Sequence, residues 1–223
     1  MQANDDQSAA GSRTKQRPGL LRLVVIVVIV VGVIYGIKKT RYQFIARNFG
    51  VVEAGEIYRS GRLTPRMFRK VVGENNIRTV LDLGAYVPGS PEDLREQQLA
   101  EELGAERYRF YLDGDGTGNP NYYVQALRLM SDPEAQPILI HCAAGAQRTG
   151  VIVLLYRHII QGQDLAHAYP ESFQYKHKPD EWPLLAYVAQ WNDEIAAALR
   201  TGEPIPGFEP VEYPLASPAR NPN

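Results

Sequence analysis

The segment from Pro137 to Leu155 constrains the fold of this chain most strongly. It reads PILIHCAAGAQRTGVIVLL, in which a short apolar run is followed by a loop of small residues and a second apolar run. The first run fits a buried strand, and the second, which continues to Gln161, fits a buried helix. The chain therefore requires a sheet with a helix packed against it and a tight loop between the two.

Strand-like and helix-like segments alternate through residues 51–200. The predicted elements are a hairpin over Val51–Tyr58, strands over Thr79–Leu83, Arg107–Leu112 and Pro137–His141, and helices over 64–72, 90–104, 122–130, 151–161 and 180–199. Strands that alternate with helices form a parallel sheet with helices against its faces. We therefore expect an α/β domain with a central, mainly parallel sheet flanked by helices.

The N-terminal part of the chain has a different character. Leu23–Ile37 contains fifteen residues without a charge, and basic residues flank it on both sides. This composition fits one transmembrane helix. A cleaved signal peptide has a similar layout, but no A-x-A-like cleavage site follows the run. A buried strand or core helix is a third interpretation, which the basic flanks disfavour, and we expect an uncleaved signal anchor.

The anchor divides the chain into five predicted parts. They are a basic tail over 1–22, the transmembrane anchor over 23–37, a linker over 38–50, the α/β domain over 51–200 and a proline-rich tail over 201–223. The positive-inside rule counts basic residues on each side of a membrane span. Four lie before this span and four after it, so the count leaves the orientation open.

Composition excludes several kinds of partner. The 24 basic and 25 acidic residues give a net charge of -1, which offers no bulk attraction to nucleic acid. A single cysteine permits neither an internal disulfide nor a zinc site with several cysteines. The stretch DGDGTG lacks the closing glutamate of a calcium loop. We expect no nucleic acid, no metal and no cofactor.

The single cysteine lies in the loop between the central strand and helix, within HCAAGAQRTG. Backbone N–H groups at a helix start converge on one point, where the helix dipole adds positive potential. Small residues let this loop curl, and Gly145 can adopt a positive φ. Arg148 can hold two oxygens of a phosphoryl group with its planar fork. Such a field lowers the pKa of a thiol, so Cys142 is predicted to be a thiolate nucleophile.

This stretch resembles the signature of the cysteine-dependent protein tyrosine phosphatases. A histidine precedes the cysteine, five residues separate Cys142 from Arg148, and Thr149 and Gly150 follow. The segment YRSGRLT at Tyr58–Thr64 and the mid-chain position of the signature are similar to the compact dual-specificity phosphatases, particularly bacterial ones. The resemblance covers about residues 58–174. It implies a dual-specificity-phosphatase-like α/β fold.

The resemblance also implies a role for each residue of the signature. Cys142 would attack phosphorus to give a phosphocysteine, Arg148 would bind the phosphate, and Thr149 would help the sulfur leave in the second step. His141 would support the loop and tune the thiol. Backbone N–H groups would bind the phosphate oxygens at Ala143, Ala144, Gly145, Ala146, Gln147 and Arg148.

The leaving alcohol or phenol needs a proton from a general acid. The family uses an aspartate about thirty residues before the cysteine, and two candidates lie in LDGDGTGNP. Asp115 lies 142 − 115 = 27 residues upstream and has glycine on both sides, which favours it. Asp113, which closes the preceding predicted strand, is the alternative.

Three functions follow from these observations. The preferred one is hydrolysis of phosphomonoesters in a phosphorylated protein, on tyrosine and also on serine or threonine. The second is a phosphoinositide or inositol-polyphosphate phosphatase, which the uncharged loop residues Ala143 and Gln147 disfavour. The third is a non-catalytic phosphate-binding module, which the presence of cysteine, arginine and acid disfavours. We expect a single-pass membrane protein whose catalytic domain lies outside the cytoplasm, with Lys176, His177 and Lys178 in a solvated loop.

Overall fold

The computed structural model describes residues 19–178, 180 and 183–211, in two compact units with a boundary after Arg41. The first unit contains helix α1, Leu20–Thr40. Its large apolar side chains from Leu23 to Ile37 are all exposed. Within the described ranges, this is the one helix that is long and apolar enough to cross a membrane. The predicted anchor over 23–37 lies inside it.

The second unit carries five strands and seven helices among the described residues, after a short 3-10 turn at Arg41–Gln43. The strands are β1 Gly50–Glu53, β2 Ile57–Ser60, β3 Thr79–Asp82, β4 Glu106–Arg109 and β5 Ile138–His141. The helices are α2 Pro65–Glu74, α3 Pro91–Glu102, α4 Pro120–Met130, α5 Gln147–Leu155, α6 Leu165–Ala168, α7 Glu171–Gln174 and α8 Pro183–Thr201. A π-helical turn, Tyr156–Ile160, continues α5.

Three helices begin in the same way, which the sequence shows directly. The side chains of Thr64, Ser90 and Asn119 each accept a hydrogen bond from a backbone N–H of the following helix, and a proline comes next. A proline at this position loses no hydrogen bond because the first helical N–H groups have no partner within the helix. These caps fix where α2, α3 and α4 start.

The five strands form one sheet in the order β1-β2-β5-β3-β4. The pairs β2–β5, β5–β3 and β3–β4 are parallel, and β1 pairs with β2 in the antiparallel sense. The predicted α/β class is confirmed, and the sheet is mixed because the hairpin adds an antiparallel strand at one edge. Strands β2, β3 and β5 are buried throughout, as in sheets covered by helices on both faces.

Two apolar clusters cover the two faces of this sheet. In β5, Ile138 and Ile140 belong to the cluster with α4, α5 and α8, whereas Leu139 belongs to the cluster with α2 and α3. In β3, Leu81 and Val80 divide in the same way. This alternation follows from the two-residue period of a strand. It also places the carboxyl ends of β2, β3 and β5 at one edge, where the site lies.

Several predicted boundaries need correction. The linker predicted over 38–50 is not a separate segment, because α1 runs to Thr40 and Phe49 packs against the core. The last helix begins at Pro183, so Asp180 precedes it, and Trp182 lies outside the described residues. The predicted tail is part of the domain as far as residue 211, because Ile205 is buried in the core. Residues 1–18 and 212–223 lie outside the described residues.

A group of buried charges joins the sheet to α3. Arg107 of β4 lies 2.5 Å from Asp82, 2.9 Å from Asp93 and 3.1 Å from Glu96, measured between nitrogen and oxygen atoms. Glu96 also lies 3.0 Å from His141 Nε2. These five residues, which we call the Arg107 cluster, are nearly inaccessible to solvent. They connect β3, β4, β5 and α3 through charge.

We predict that the Arg107→Met variant unfolds much more easily than the wild type. The substitution removes the shared cation and leaves buried carboxylates uncompensated, which typically costs about 3–5 kcal/mol. The free energy of unfolding from urea titration measures this loss.

Arg69→Met is the matched control for this prediction. Arg69 pairs with Glu102 at 2.9 Å, but the two side chains are 44% and 39% exposed. Exposed pairs contribute about 1 kcal/mol or less, so this variant should stay close to the wild type. Equal small losses in both variants would show that the Arg107 cluster does not stabilise the fold.

Candidate active site

The loop from Cys142 to Arg148, which we call the thiol loop, joins β5 to α5 and fits closely against the end of β2. Gly145 has a φ of 73°. A Cβ atom there would lie 2.5 Å from Gly61 N and 2.6 Å from Ser60 C. A Cβ atom on Gly61 would in turn lie 2.7 Å from Ala144 O. Only glycine fits these positions, so the two segments fix each other's backbone.

Two polar side chains bind the outer side of the thiol loop. Asn48 Nδ2 donates to the carbonyl oxygens of Ala144 and Gly145 at 3.3 and 3.0 Å. Arg59 Nη2 donates to Gly145 O at 3.0 Å, and its guanidinium lies 3.7 Å from the centre of the Tyr175 ring. Burial lowers the pKa of Arg59 to about 10. Because these donors bind carbonyl groups, the loop N–H groups at the start of α5 stay available for an anion.

The thiol of Cys142 lies at the centre of this loop and is 2% exposed. Burial alone would raise the pKa of this thiol. The hydroxyl and backbone N–H of Thr149, the charge of Arg148 and the N–H of Gly145, 3.2 Å from Sγ, outweigh burial and lower the pKa. The site therefore favours the thiolate, which is the nucleophilic form.

Arg148 is held on one side and open on the other. Its Nη1 donates to Leu83 O at 2.9 Å and to Gly84 O, at the end of β3. Its Nε is buried and has no hydrogen-bond partner within the described part of the chain. A Cβ on Gly84 would lie 2.9 Å from Nη1, so glycine is needed there too. An anion in the loop would supply the acceptor that Nε lacks.

His141 connects the thiol loop to the Arg107 cluster. Burial alone would lower the pKa of this imidazole, but the charge of Glu96 outweighs burial and raises it. The carboxyl pKa of Glu96 shifts the opposite way, since His141 and Arg107 together overcome its burial. The residue before Cys142 is therefore held as a buried ion pair rather than as a free base.

The loop that contains both candidate acids lies over the start of α5. A Cβ on Gly116 would lie 3.5 Å from Arg148 N, and Tyr123 Oη donates to Gly116 O at 2.6 Å. Asp115 and Asp113 are both exposed. Thr117 donates to Asp115 Oδ1 from its N–H at 3.0 Å and its hydroxyl at 2.8 Å, and these bonds lower the carboxyl pKa of Asp115. The structure leaves both aspartates as candidates.

Comparison with known proteins identifies the family. The sequence profile of the tyrosine phosphatase family matches residues 44–202. The chain belongs to the tyrosine phosphatase family. This match covers the whole sheet, the thiol loop and α8, and it confirms the resemblance found from HCAAGAQRTG.

Named relatives of this tyrosine phosphatase family member include proteins from a plant and a yeast. The inositol diphosphatase DSP3 of Arabidopsis thaliana is 34% identical over 119 residues, which is 50% of this chain and 54% of DSP3. The tyrosine-protein phosphatase-like protein OCA2 of Saccharomyces cerevisiae is 28% identical over 123 residues, 53% of this chain and 60% of OCA2. The chain thus spans only a little over half the length of these relatives.

Solved structures share the fold of this family member. The catalytic core of the PP-IP phosphatase SIW14 from S. cerevisiae aligns with a TM-score of 0.56 and 23% identity, over 70% of this chain and 94% of that chain. TpbA of P. aeruginosa aligns with a TM-score of 0.57 and 20% identity, over 69% of this chain and 91% of that chain. At these identities the similarity concerns the fold.

Sequence reasoning missed several residues that position the thiol loop of this tyrosine phosphatase family member. Asn48 and Glu96 gave no sequence signal, because their partners are distant along the chain. Arg59 did give one, since it is a charged residue in the buried strand IYRS. His177 was expected in a solvated loop, but it is buried, 3.1 Å from Gln147 Oε1. That expectation is wrong, because His177 packs behind the loop.

Three ligand-type side chains lie close together beside the thiol loop. Potential donor atoms of Asp82, Glu96 and His141 lie within 4.8 Å of one another. Arg107 lies 2.5 Å from the first and 3.1 Å from the second, so its guanidinium already occupies this space and balances the carboxylates. These donors therefore do not fit a metal ion.

We predict that the Thr149→Val variant raises the pKa of the Cys142 thiol. The hydroxyl of Thr149 stabilises the thiolate, and valine has a similar shape without a donor. The thiolate fraction at a pH below the pKa of an ordinary thiol, about 8.5, should therefore fall. The rate of iodoacetamide alkylation as a function of pH measures this.

Because Cys142 is the single cysteine, alkylation reports on it alone. The urea-unfolded chain supplies the reference midpoint of an unperturbed thiol. The wild-type midpoint should lie below this reference, and the variant midpoint should lie between the two. A variant with an unchanged midpoint would show that the Thr149 hydroxyl does not stabilise the thiolate.

Proposed function

We propose that this chain hydrolyses phosphomonoesters through a phosphocysteine intermediate. The observation that carries this proposal is the joint placement of Cys142 and Arg148 on one loop. The thiol lies among donors that lower its pKa, and the guanidinium is anchored through Nη1 while its buried Nε lacks a partner. The family match supports the same chemistry.

In the first step, the Cys142 thiolate attacks phosphorus and a P–S bond forms as the bond to the leaving oxygen breaks. The loop N–H groups and Arg148 bind the non-bridging oxygens, where negative charge is concentrated in the transition state. We assign proton donation to the leaving oxygen to Asp115, since its neighbour Gly116 packs against the backbone of Arg148. Asp113 is the alternative acid.

In the second step, water attacks the phosphocysteine. The Asp115 carboxylate accepts a proton from this water, the P–S bond breaks, and inorganic phosphate forms. The Thr149 hydroxyl stabilises the departing thiolate, because the contact that lowers the thiol pKa also favours sulfur as a leaving group. The two steps therefore use the same donors in opposite directions.

For the substrate we propose a phosphorylated protein, with phosphotyrosine as the first choice. Phosphotyrosine was solved in complex with TpbA, which supports this choice through a shared fold. A second candidate is an inositol polyphosphate or phosphoinositide. The names of DSP3, an inositol diphosphatase, and SIW14, a PP-IP phosphatase, support it. The uncharged thiol loop argues against it.

We predict that the full chain in detergent hydrolyses p-nitrophenyl phosphate and that Cys142→Ser abolishes this activity. A hydroxyl at this position remains protonated at neutral pH and cannot replace the thiolate. Released phosphate should fall to background for every substrate in a panel of a phosphotyrosine peptide, a phosphoserine peptide and an inositol polyphosphate. Activity that survives in Cys142→Ser would exclude the phosphocysteine mechanism.

The same assay separates the two candidate acids, with Asp113→Asn as the matched control for Asp115→Asn. A poor leaving group such as an alkyl phosphate depends on the acid most strongly, so Asp115→Asn should slow its hydrolysis by about 100-fold or more. Asp113→Asn should stay within a few-fold of the wild type. The opposite result would assign the acid to Asp113.

We further propose that α1 tethers the enzyme to a membrane, with the catalytic domain outside the cytoplasm. At 1.5 Å per residue, the 21 residues of α1 extend about 30 Å, the thickness of a bilayer core. Its exposed apolar side chains support this role. Tethering would raise the effective concentration of membrane-bound substrates.

We predict that the expressed full chain sediments with membranes, resists extraction by salt and is released by detergent. Protease added to intact spheroplasts should remove the catalytic domain if it lies outside the cytoplasm, while a cytoplasmic marker protein stays intact. Recovery in the soluble fraction would exclude the anchor. Protection of the domain until the membrane is broken would reverse the orientation.

A further inference from the structure

A cavity of about 320 Å³ lies beside the thiol loop, in the second unit. Arg62 forms part of its wall, and the backbone N–H of this residue donates to Ala143 O at 3.2 Å. Arg47 forms another part, and its Cδ lies 3.1 Å from where a Cβ on Gly61 would be, the position that Ala144 O also approaches. This cavity, which we call the arginine pocket, therefore adjoins the residues directly after Cys142.

The two arginines are oriented by aromatic rings rather than by carboxylates. Arg62 lies over Tyr86, with 5.5 Å from its guanidinium carbon to the ring centre, and Arg47 lies over Tyr42 at 5.6 Å. Among the described residues, neither forms an ion pair within 4.0 Å. Stacking on a ring leaves the N–H edge of a guanidinium free to donate.

The charge of the arginine pocket is positive. Arg95 adds a third guanidinium to its wall, and two carboxylates, Glu92 and Glu96, also line it. Glu96 is compensated by Arg107 and His141 within the Arg107 cluster. This leaves Glu92 as the carboxylate that opposes three arginines, so the pocket attracts anions.

The floor of the pocket strengthens this attraction. Leu63, Phe68 and Leu99 line it and are buried in the apolar cluster beneath. Apolar side chains below a charge lower the local dielectric, which increases the Coulomb energy between the guanidinium groups and a bound anion. The thiol loop itself carries no charged side chain from Ala143 to Gln147. A second negative group on a substrate must therefore be met by the arginine pocket.

We propose that Arg47 and Arg62 bind a second phosphate, carried by the same molecule as the phosphate cleaved at Cys142. This inference rests on the proposed function and specifies its substrate class as a polyphosphorylated polyol. The uncharged thiol loop then selects the scissile phosphate by geometry, while the pocket selects for the additional charge. The ring could be a soluble inositol polyphosphate or the headgroup of a phosphoinositide, since both present the same chemistry.

The test compares Arg47→Gln and Arg62→Gln with the matched control Arg66→Gln. Arg66 also lies over an aromatic ring, Phe44, at 5.1 Å, but it does not line the pocket. The full chain in detergent hydrolyses p-nitrophenyl phosphate, and inositol hexakisphosphate is added as a competitor. The ratio of the competitor's inhibition constant to the KM of p-nitrophenyl phosphate should rise about ten-fold in each pocket variant, as expected for a lost hydrogen bond to a charged group. It should stay unchanged in Arg66→Gln.

Two results would overturn the proposal. One is an unchanged ratio in both pocket variants, and the other is an equal loss for competitor and substrate, which would place the arginines in support of the loop. If the wild type does not hydrolyse p-nitrophenyl phosphate, the proposed function fails. The pocket is then judged by calorimetric binding of inositol hexakisphosphate, where equal affinity for wild type and Arg62→Gln rejects it.

A second arm identifies the source of the phosphorylated ring. Phosphate release is compared between a soluble inositol polyphosphate and vesicles of phosphatidylcholine that contain a phosphatidylinositol bisphosphate. Faster release from either one, with loss of that preference in Arg62→Gln, supports the pocket and names the source. A preference for a singly phosphorylated peptide that Arg62→Gln does not change rejects the second phosphate.

Discussion

The rest of the structure depends on the buried interaction of Arg107 with three carboxylates. This guanidinium joins β4 to the end of β3 through Asp82 and to α3 through Asp93 and Glu96. Glu96 in turn holds His141, the residue that precedes the nucleophile. Charges this deeply buried are tolerated only when every partner is present. The same set of contacts therefore fixes the sheet and the base of the thiol loop.

On this foundation the site works by directing polar groups to opposite sides of one loop. Asn48 and Arg59 bind carbonyl oxygens on the outer side, and Gly145 lets the backbone turn in a space too small for a side chain. The N–H groups and Arg148 are left for the inner side. Donors that are fixed before the anion arrives need no reorganisation, which is the physical basis of stabilising a charged transition state.

Much of this architecture could be predicted because its signals are local. The apolar run PILIH, the cap residues before Pro65, Pro91 and Pro120, and the spacing of Cys142 and Arg148 all lie within a few residues of one another. The Arg107 cluster, Asn48 and His177 escaped prediction because their partners are distant along the chain. Asn48 and Gly145, for example, are separated by 97 residues.

The sequence by itself determined the α/β class, the tyrosine phosphatase signature and the presence of a long apolar segment. Periodicity, capping and motif spacing are properties of neighbouring residues, and they hold in any fold that the chain adopts. Only the tertiary structure decided which charges are compensated. It matched Glu96 with Arg107 and His141 and left Arg47 and Arg62 on aromatic rings without carboxylate partners in the described part of the chain. Coulomb energy depends on distance in space, and distance in space is set by the fold.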